Sequence, residues 1–276
     1  MSVTASTDVA AFGGALPPVR SMGITAFVRD TSIITHRHLL RTWRTPQLMV
    51  LSAIMPVMFV LLFRYVFGGS IHVPGYSSYV NYLIPGILVQ TVLFGGSSTA
   101  VGLADDLSRG ITDRFRSLPT HRSAILAART LADLIRLSYT VALLIAIGYL
   151  VGFRFHNGVP QVAAGIAIAL LFGYACSWTF ALLALWVRQT EIATLAAFMF
   201  TFPLVFAAST FTSTATMPAG LRAFADAQPV TKVVNVLRTL TVGSGWPGRP
   251  MLYALGWSLG ILIVSATLAT WRFRKG

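Results

Sequence analysis

Long apolar runs separated by short polar segments dominate the chain. Six of these runs reach about 20 residues, which is the length an α-helix needs to cross the hydrocarbon core of a bilayer. They lie at residues 48–67, 78–103, 123–151, 161–187, 192–211 and 251–271. The pattern therefore predicts an all-α integral membrane protein, with six transmembrane helices in a domain over residues 46–276.

The segment before the first run has helical periodicity with two different faces. On a helical wheel one side carries Ile24, Phe27, Val28, Ile34, Leu39 and Trp43, and the other carries Arg29, Arg37, Arg41 and Arg44. This predicts an amphipathic helix over residues 24–45, lying in the inner leaflet with its arginines toward anionic headgroups. A soluble helix packed on a partner is the alternative. Residues 1–23 lack the pattern of a signal peptide and are expected to form a flexible cytoplasmic tail.

The charge of the chain fits this topology. Only 11% of the residues are charged, against about a quarter in soluble domains, and the net charge is +13. The basic residues lie between apolar runs and not on a soluble module, so no nucleic-acid partner is expected. Of the basic residues, 14 fall on the side of the two termini and six on the other side, with Arg136 inside the third run. The positive-inside rule then places both termini in the cytoplasm.

The most densely charged stretch follows the second run and faces the cytoplasm. Its sequence is DLSRGITDRFRSLPTHR, residues 106–122. Leu107, Ile111, Phe115 and Leu118 fall on one side of a helical wheel, with Asp106, Arg109, Asp113 and Arg116 opposite. Pro119 ends the helix. The pattern predicts a short amphipathic helix that docks into a groove of a soluble protein, or a surface helix that only connects two spans.

The segment before the last run, residues 212–249, is too long for a turn and too charged to span a membrane. Val230, Val233, Val234 and Leu237 have helical spacing, and Pro218 and Pro229 interrupt the segment. Two short re-entrant extracytoplasmic helices are predicted, because irregular backbone at membrane depth must be shielded. A helical hairpin outside the membrane is the alternative.

The sequence offers almost no residues for chemistry. Its only lysines are Lys232 and Lys275, neither preceded by glycine, so the chain has no P-loop of its own and is not expected to be an enzyme. The histidines are scattered, and neither a catalytic nor a metal site is expected. Asp133 is the one acid within a run. It is expected to pair with Arg136 or Arg129, with a proton relay as the alternative.

Neutral polar and aromatic residues within two of the runs form a candidate pathway. These are Gln90, Thr91 and Phe94 in the second run, and Phe198, Phe202 and Phe206 in the fifth. Such a lining would suit an apolar or amphipathic substrate with little net anionic charge. For the phenylalanine stripe, helix packing or contact with lipid is the alternative.

Several motifs together resemble the permease subunits of type-2 ABC exporters, and among them the bacterial daunorubicin-resistance-type drug efflux permeases. The resemblance covers the chain from about residue 24 onward. The motifs that follow the amphipathic helix are, in order, NYLIPGILVQTVLF, DLSRGITDRFRSLPTHR, GFRFH and TSTATMPAGLRAFADAQPVTKVVNVLRTL.

The resemblance implies a multi-pass homodimer in the bacterial cell membrane, with two copies of a separate ABC ATP-binding subunit that hold ATP and Mg. Residues 105–122 would form the coupling loop on the ATPase, where Asp105 and Asp106 stand in the region of a glutamate common in the family. The coupling residues implied are Asp105, Asp106, Leu107, Arg109, Gly110, Ile111, Asp113, Arg114, Phe115, Arg116, Leu118 and Pro119. The extracytoplasmic gate would contain Met217, Pro218, Leu221, Pro229 and Arg238.

The implied function is ATP-driven export of hydrophobic or amphipathic compounds such as drugs, antibiotics or lipid-like molecules. The substrate would pass between two permeases, along the second and fifth spans. Export of a cell-wall lipid or lipid-linked glycan is the nearest alternative, although anionic cargo is expected to meet positive charge that these spans nearly lack. A secondary drug carrier is disfavoured, because the chain shows neither an ion site near the midplane nor an internal repeat.

Overall fold

The computed structural model describes residues 24–44, 46–69, 73, 75–76, 78–110 and 122–275. Within them the regular structure is helical, in agreement with the all-α prediction. The α-helices are α1 Ile24–Trp43, α2 Pro46–Leu62, α3 Tyr79–Ser108, α4 Arg122–Leu150, α5 Val159–Val187, α6 Thr190–Phe206, α7 Ala219–Ala227, α8 Pro229–Thr241 and α9 Arg249–Lys275. A π-helical turn, Phe63–Phe67, extends α2, and a 3₁₀ turn, Thr214–Thr216, precedes α7.

Five helical segments of the described residues are long and apolar enough to cross a membrane. They are Val50–Phe67, Tyr79–Ser108, Ser123–Leu150, Val159–Val187 and Arg249–Phe273. The apolar helix α6 has 17 residues, or about 25 Å at 1.5 Å per residue. That is shorter than a hydrocarbon core of about 30 Å, so the sixth span stays a prediction.

Helices α3 and α5 form the centre of the molecule. The first four turns of α3 are buried on every side. On α5 the small residues Gly165, Ala169, Gly173 and Ser177 are buried along one face. A Cβ at Gly173 would lie 2.7 Å from Val92 of α3, and one at Gly165 would lie 2.9 Å from Leu237 of α8. The absence of these side chains lets α3 and α8 approach α5 closely.

Helix α1 is present as predicted and packs against α4. Ile34, Thr31 and Thr35 are buried in this contact, and the Thr35 hydroxyl lies 3.3 Å from the carbonyl oxygen of Ala128. Val28, on the predicted apolar side, is 58% exposed. The apolar side of α1 is therefore divided between a protein contact and an open surface, and its placement in the inner leaflet stays a prediction.

The start of the predicted coupling loop overlaps the end of α3. Asp105, Asp106 and Leu107 lie in the last turn of α3, which continues to Ser108, and Arg122 opens α4. Gly110 has a φ of +65°, a left-handed conformation that ends a helix. Leu107 therefore belongs to α3, and the predicted apolar ridge through Ile111, Phe115 and Leu118 stays a prediction. The predicted residues Ile111, Asp113, Arg114, Phe115, Arg116, Leu118 and Pro119 lie outside the described residues.

The predicted pair of helices before the last span is present as α7 and α8, with breaks at Pro218 and Pro229. Helix α8 is buried among α3, α5 and α9, whereas α7 buries only Ala225. The GFRFH motif and the residue after it cap the end of α8. The amide of His156 donates to the carbonyl of Thr241 at 2.9 Å, and Asn157 Nδ2 donates to that of Thr239 at 2.8 Å. The re-entrant position of α7 and α8 in a membrane stays a prediction.

Candidate functional site: an apolar groove

A groove of about 360 Å³ lies between α2, α3, α4 and α6. All six residues predicted to line a pathway border it, namely Gln90, Thr91, Phe94, Phe198, Phe202 and Phe206. They come from separate runs of the sequence, and the contact between α3 and α6 brings them together. Helix α2 adds Met55 and Phe59, which sequence analysis did not single out.

The α6 side of the groove is an aromatic wall made by Phe198, Phe202 and Phe206. Their four-residue spacing places them on one face of the helix. The ring centroids of Phe202 and Phe206 are 4.2 Å apart, and those of Phe198 and Phe202 are 5.3 Å apart. The three side chains are 57%, 42% and 40% exposed in the single chain. Stacking within the wall therefore leaves much of its surface uncovered.

The aromatic wall continues past the end of α6 into a second cluster. The ring centroids of Phe206 and Phe211 are 5.3 Å apart. Phe211 also stacks on Phe63 of the π-helical turn, with ring centroids 4.4 Å apart and an interplanar angle of 11°. A π-turn carries one extra residue and often marks a functional site. Here it places Phe63 against the chain that leaves α6, which joins α2 to the α6 side of the groove.

The α3 side of the groove carries the neutral polar residues. Gln90 is 3% exposed, and its Oε1 has no hydrogen-bond partner among the described residues. Thr91 donates its hydroxyl to the carbonyl of Ile87 at 2.7 Å, one turn earlier in the same helix. Gln90 is thus the polar residue of this wall whose hydrogen bonding is left incomplete.

Arg136 of α4 brings a positive charge to the groove. Its Nη2 donates to the hydroxyl of Ser98 and lies 3.4 Å from both the carbonyl oxygen of Gly95 and Asp133 Oδ1. This confirms the predicted pair between Asp133 and Arg136, and Thr99 also donates to Asp133 at 2.7 Å. The expectation that a pathway would be almost free of positive charge is wrong at this position.

Nearer the C-terminal end of α3, an ion pair joins α3 to α4. Arg129 pairs with Asp106, and the two side chains are only 18% and 17% exposed. Arg129 therefore does not pair with Asp133, which was the alternative partner from its sequence spacing. A Cβ at Gly102 would collide with the guanidinium of Arg129, so the glycine provides the space that this contact needs. Asp106 is engaged within the chain, while Asp105 pairs with the more exposed Arg109 at 2.9 Å.

The residues predicted to form an extracytoplasmic gate do not share one environment. Pro218 and Leu221 are exposed at the start of α7, Met217 is half-buried, and Pro229 opens α8. Arg238 is 2% exposed in the contact between α8 and α3. Only Arg238 belongs to the interior of the protein.

Arg238 is held by oxygens from α3 and from the segment that follows α6. Its Nε donates to the carbonyl of Tyr82 at 2.9 Å, its Nη2 to that of Thr210 at 2.9 Å, and its Nη1 to the hydroxyl of Ser209 at 3.2 Å. The guanidinium carbon also lies 3.4 Å from the centroid of the Tyr82 ring, a cation–π contact. Burial lowers the pKa of Arg238 to about 10, so the side chain remains cationic at neutral pH.

Sequence analysis missed Arg136, Ser98 and Gly95 as part of the groove. Two signals could have found Arg136 and Gly95. An ionisable residue within a spanning run is by default a candidate functional residue, which applies to Arg136. Gly95 and Gly102 are seven residues apart, and that spacing repeats on one side of a helix that packs against another. In the described part of the chain, no group of three His, Cys, Asp or Glu side chains is placed to hold a metal ion.

Comparison with known proteins agrees with this architecture. Residues 29–241 match the family described as ABC-2 type transporter. The chain is 30% identical, over 91% of its length and 84% of the relative's, to the daunorubicin resistance ABC transporter permease protein DrrB1 of Streptomyces coeruleorubidus. It is 28% identical, over 90% of both chains, to a probable doxorubicin resistance ABC transporter permease protein DrrC of Mycobacterium tuberculosis.

A more distant relative is a putative transport permease of Cyanophora paradoxa, 23% identical over 93% of this chain and 92% of its own. The family match spans α1 to α8 and so includes every helix that borders the groove. From its helical membrane architecture and these likenesses together, we conclude that the chain belongs to the ABC-2 type transporter family.

Proposed function

We propose that the chain is the membrane-spanning permease subunit of an ATP-driven exporter that moves hydrophobic or amphipathic compounds out of the cell. The observation that carries this proposal is the groove between α2, α3, α4 and α6, with its exposed wall of phenylalanines. Its volume of about 360 Å³ falls within the usual range for small-molecule sites. The names of the relatives, which refer to daunorubicin and doxorubicin resistance, support a drug-like cargo.

In this proposal two permeases form a homodimer in the bacterial cell membrane, each with six spans and both termini in the cytoplasm. Two copies of an ABC ATP-binding subunit lie beneath them and hold ATP and Mg. Residues 105–122 couple to these subunits, and residues 212–249 form a re-entrant gate at the outer side. The absence of a P-loop from this sequence is a reason to expect the separate ATPase.

The mechanism that we propose runs through α3. Closure of the ATP-binding subunits displaces the coupling segment, which follows α3 directly in the sequence. Because the Arg129–Asp106 and Asp133–Thr99 contacts join α4 to α3, the two helices tilt together. The tilt changes the groove walls at Gln90 and Arg136 and opens the cargo site toward the outside.

A second candidate is export of a cell-wall lipid or lipid-linked glycan. The observation in its favour is Arg136, which places a guanidinium on the groove, where an anionic headgroup could bind. The pairing of Arg136 with Asp133 weakens that argument, because the carboxylate already offsets the charge. We therefore keep hydrophobic and amphipathic compounds as the first proposal.

The test is transport into inverted membrane vesicles that contain the permease and its ATP-binding subunit. We expect ATP-dependent uptake of a hydrophobic fluorescent dye that vanadate abolishes. Vesicles whose ATPase lacks its P-loop lysine are the matched control. Uptake that survives vanadate but disappears with a protonophore would identify a secondary carrier and contradict the proposal.

A further inference from the structure

The Gln90 carboxamide is buried without a complete set of hydrogen bonds. Its side chain borders the groove and is 3% exposed, and its Oε1 has no partner in the described part of the chain. A buried amide group without a partner costs free energy, so native proteins satisfy most such groups. A group of this kind at the wall of a cavity is therefore suited to bind a ligand.

The other polar side chains at the groove already have partners. The hydroxyl of Thr91 donates to Ile87, and that of Thr140 donates to the carbonyl of Arg136 at 3.1 Å. The hydroxyl of Ser98 donates to the carbonyl of Gly95 at 2.6 Å and accepts from Arg136. Among the described polar residues of the groove, Gln90 is thus the one with an enclosed acceptor that a ligand could satisfy.

The charged groups near the groove are already paired with each other and are not open to a ligand in the way that Gln90 is. Arg136 is engaged with Ser98 and Asp133, and its positive charge is balanced by that carboxylate. The groove therefore presents a neutral polar point on α3 and a flat aromatic wall on α6. Phe94 follows Gln90 by one helical turn on the same side of α3, so an apolar ring also lies next to the amide.

A carboxamide can form hydrogen bonds with a neutral donor or with a neutral acceptor. Its oxygen accepts two hydrogen bonds and its amino group donates two, and a half-turn of the amide exchanges their positions. A hydroxyl group can donate and accept, so it matches the amide in both orientations. A charged ammonium or carboxylate would lose much more hydration in this apolar site than one amide could replace.

We propose that Gln90 is the residue that selects cargo in the groove, by a hydrogen bond to one neutral polar group on a molecule with a flat apolar body. This rests on the proposed function, because it takes the groove as the cargo site. The aromatic wall binds the flat part with little discrimination, whereas the amide discriminates between molecules that carry the polar group and those that lack it.

The experiment measures equilibrium binding of two probes, pyrenemethanol and ethylpyrene, to the purified permease with its ATP-binding subunit in lipid nanodiscs. The probes have the same flat body and nearly the same size, and differ by a hydroxyl in place of a methyl group. Binding to empty nanodiscs is subtracted to correct for partition into lipid. We expect the wild-type complex to prefer pyrenemethanol by about three- to tenfold after this correction.

The variant Gln90→Met keeps the length and approximate volume of the side chain and removes the amide. We expect it to bind ethylpyrene at least as well as the wild type and to lose the preference for pyrenemethanol. Thr91→Val is the matched control, since its hydroxyl also borders the groove but is already bonded to Ile87. It should keep the preference.

Equal affinity of the wild type for both probes would overturn the proposal, and would indicate that water alone satisfies the amide. A preference that persists in Gln90→Met would overturn it as well. These outcomes are independent of the vesicle assay, because binding is measured without ATP. Loss of vesicle transport with the binding preference intact would contradict the exporter and leave a selective binding groove.

Discussion

Gly86 shows how one missing side chain brings three elements together. A Cβ at this position of α3 would collide with the carbonyl oxygen of Thr210 and would lie 3.2 Å from Arg238 Nη2. The same carbonyl accepts a hydrogen bond from Arg238. The glycine thus allows the chain after α6 to approach α3 and allows the buried cation of α8 to reach its partner.

We predict that Gly86→Ala destabilises the protein by about 1–3 kcal/mol, because the added methyl group meets backbone that cannot move away easily. The measurement is the midpoint of thermal unfolding of the purified protein in detergent. Gly256→Ala on α9 is the control, since a Cβ there meets nothing within 4 Å. If both variants unfold at the wild-type temperature, the close approach at Gly86 is not a constraint on the fold.

At the scale of elements, α3 and α4 are joined by side chains that the sequence places far apart. Arg129 reaches Asp106, and Asp133 accepts from Thr99, so two contacts join the helices between the groove and the C-terminal end of α3. The partners are 23 and 34 residues apart in the chain. A displacement of the end of α3 should therefore reach α4 as well.

We predict that Asp106→Asn destabilises the protein by about 1–3 kcal/mol, because it leaves the partly buried Arg129 without its counter-charge. Asp105→Asn is the matched control. Its pair with Arg109 is at the surface, where Arg109 is 67% exposed, and such pairs contribute about 0–1 kcal/mol. The measurement is thermal unfolding of both variants. A similar loss of stability in the two would contradict the prediction that the Arg129–Asp106 pair contributes more than the surface pair.

At the scale of the whole molecule, α3 connects three regions that the proposed mechanism needs. Its last turn leads into the coupling segment, its middle carries Gln90 and Phe94 at the groove, and its first turns carry Tyr82 against Arg238. No other described helix takes part in all three. A displacement that begins at the C-terminal end of α3 could thus reach both the groove and the α8 contact.

We predict that replacing Phe115 and Leu118 with aspartate uncouples transport from the ATPase, because charges on the apolar side of the coupling segment would prevent docking. Membrane insertion should be unchanged. The measurements are ATPase stimulation and dye efflux in the reconstituted complex, with Phe115→Leu and Leu118→Met together as the conservative control. Full stimulation and efflux in the aspartate variant would contradict the assignment of these residues.

The sequence by itself determined where the described helices lie and six of the residues that border the groove. Gln90, Phe198 and Phe202 stood out because neutral polar and evenly spaced aromatic residues are conspicuous in apolar runs. Helix α1 and the breaks at Pro218 and Pro229 followed from local periodicity and backbone chemistry. These features depend on residues close in the chain, which is why a pattern of a few turns was enough.

Only the tertiary structure decided which of these residues meet and which hydrogen bonds stay open. Arg129 could pair with Asp133 by spacing, yet it bonds to Asp106, because Gly102 leaves room for its guanidinium on α3. The incomplete bonding of Gln90 and the enclosure of Arg238 likewise depend on neighbours from distant segments. Such contacts are set by how whole helices pack, and no local pattern in one segment encodes its partner in another.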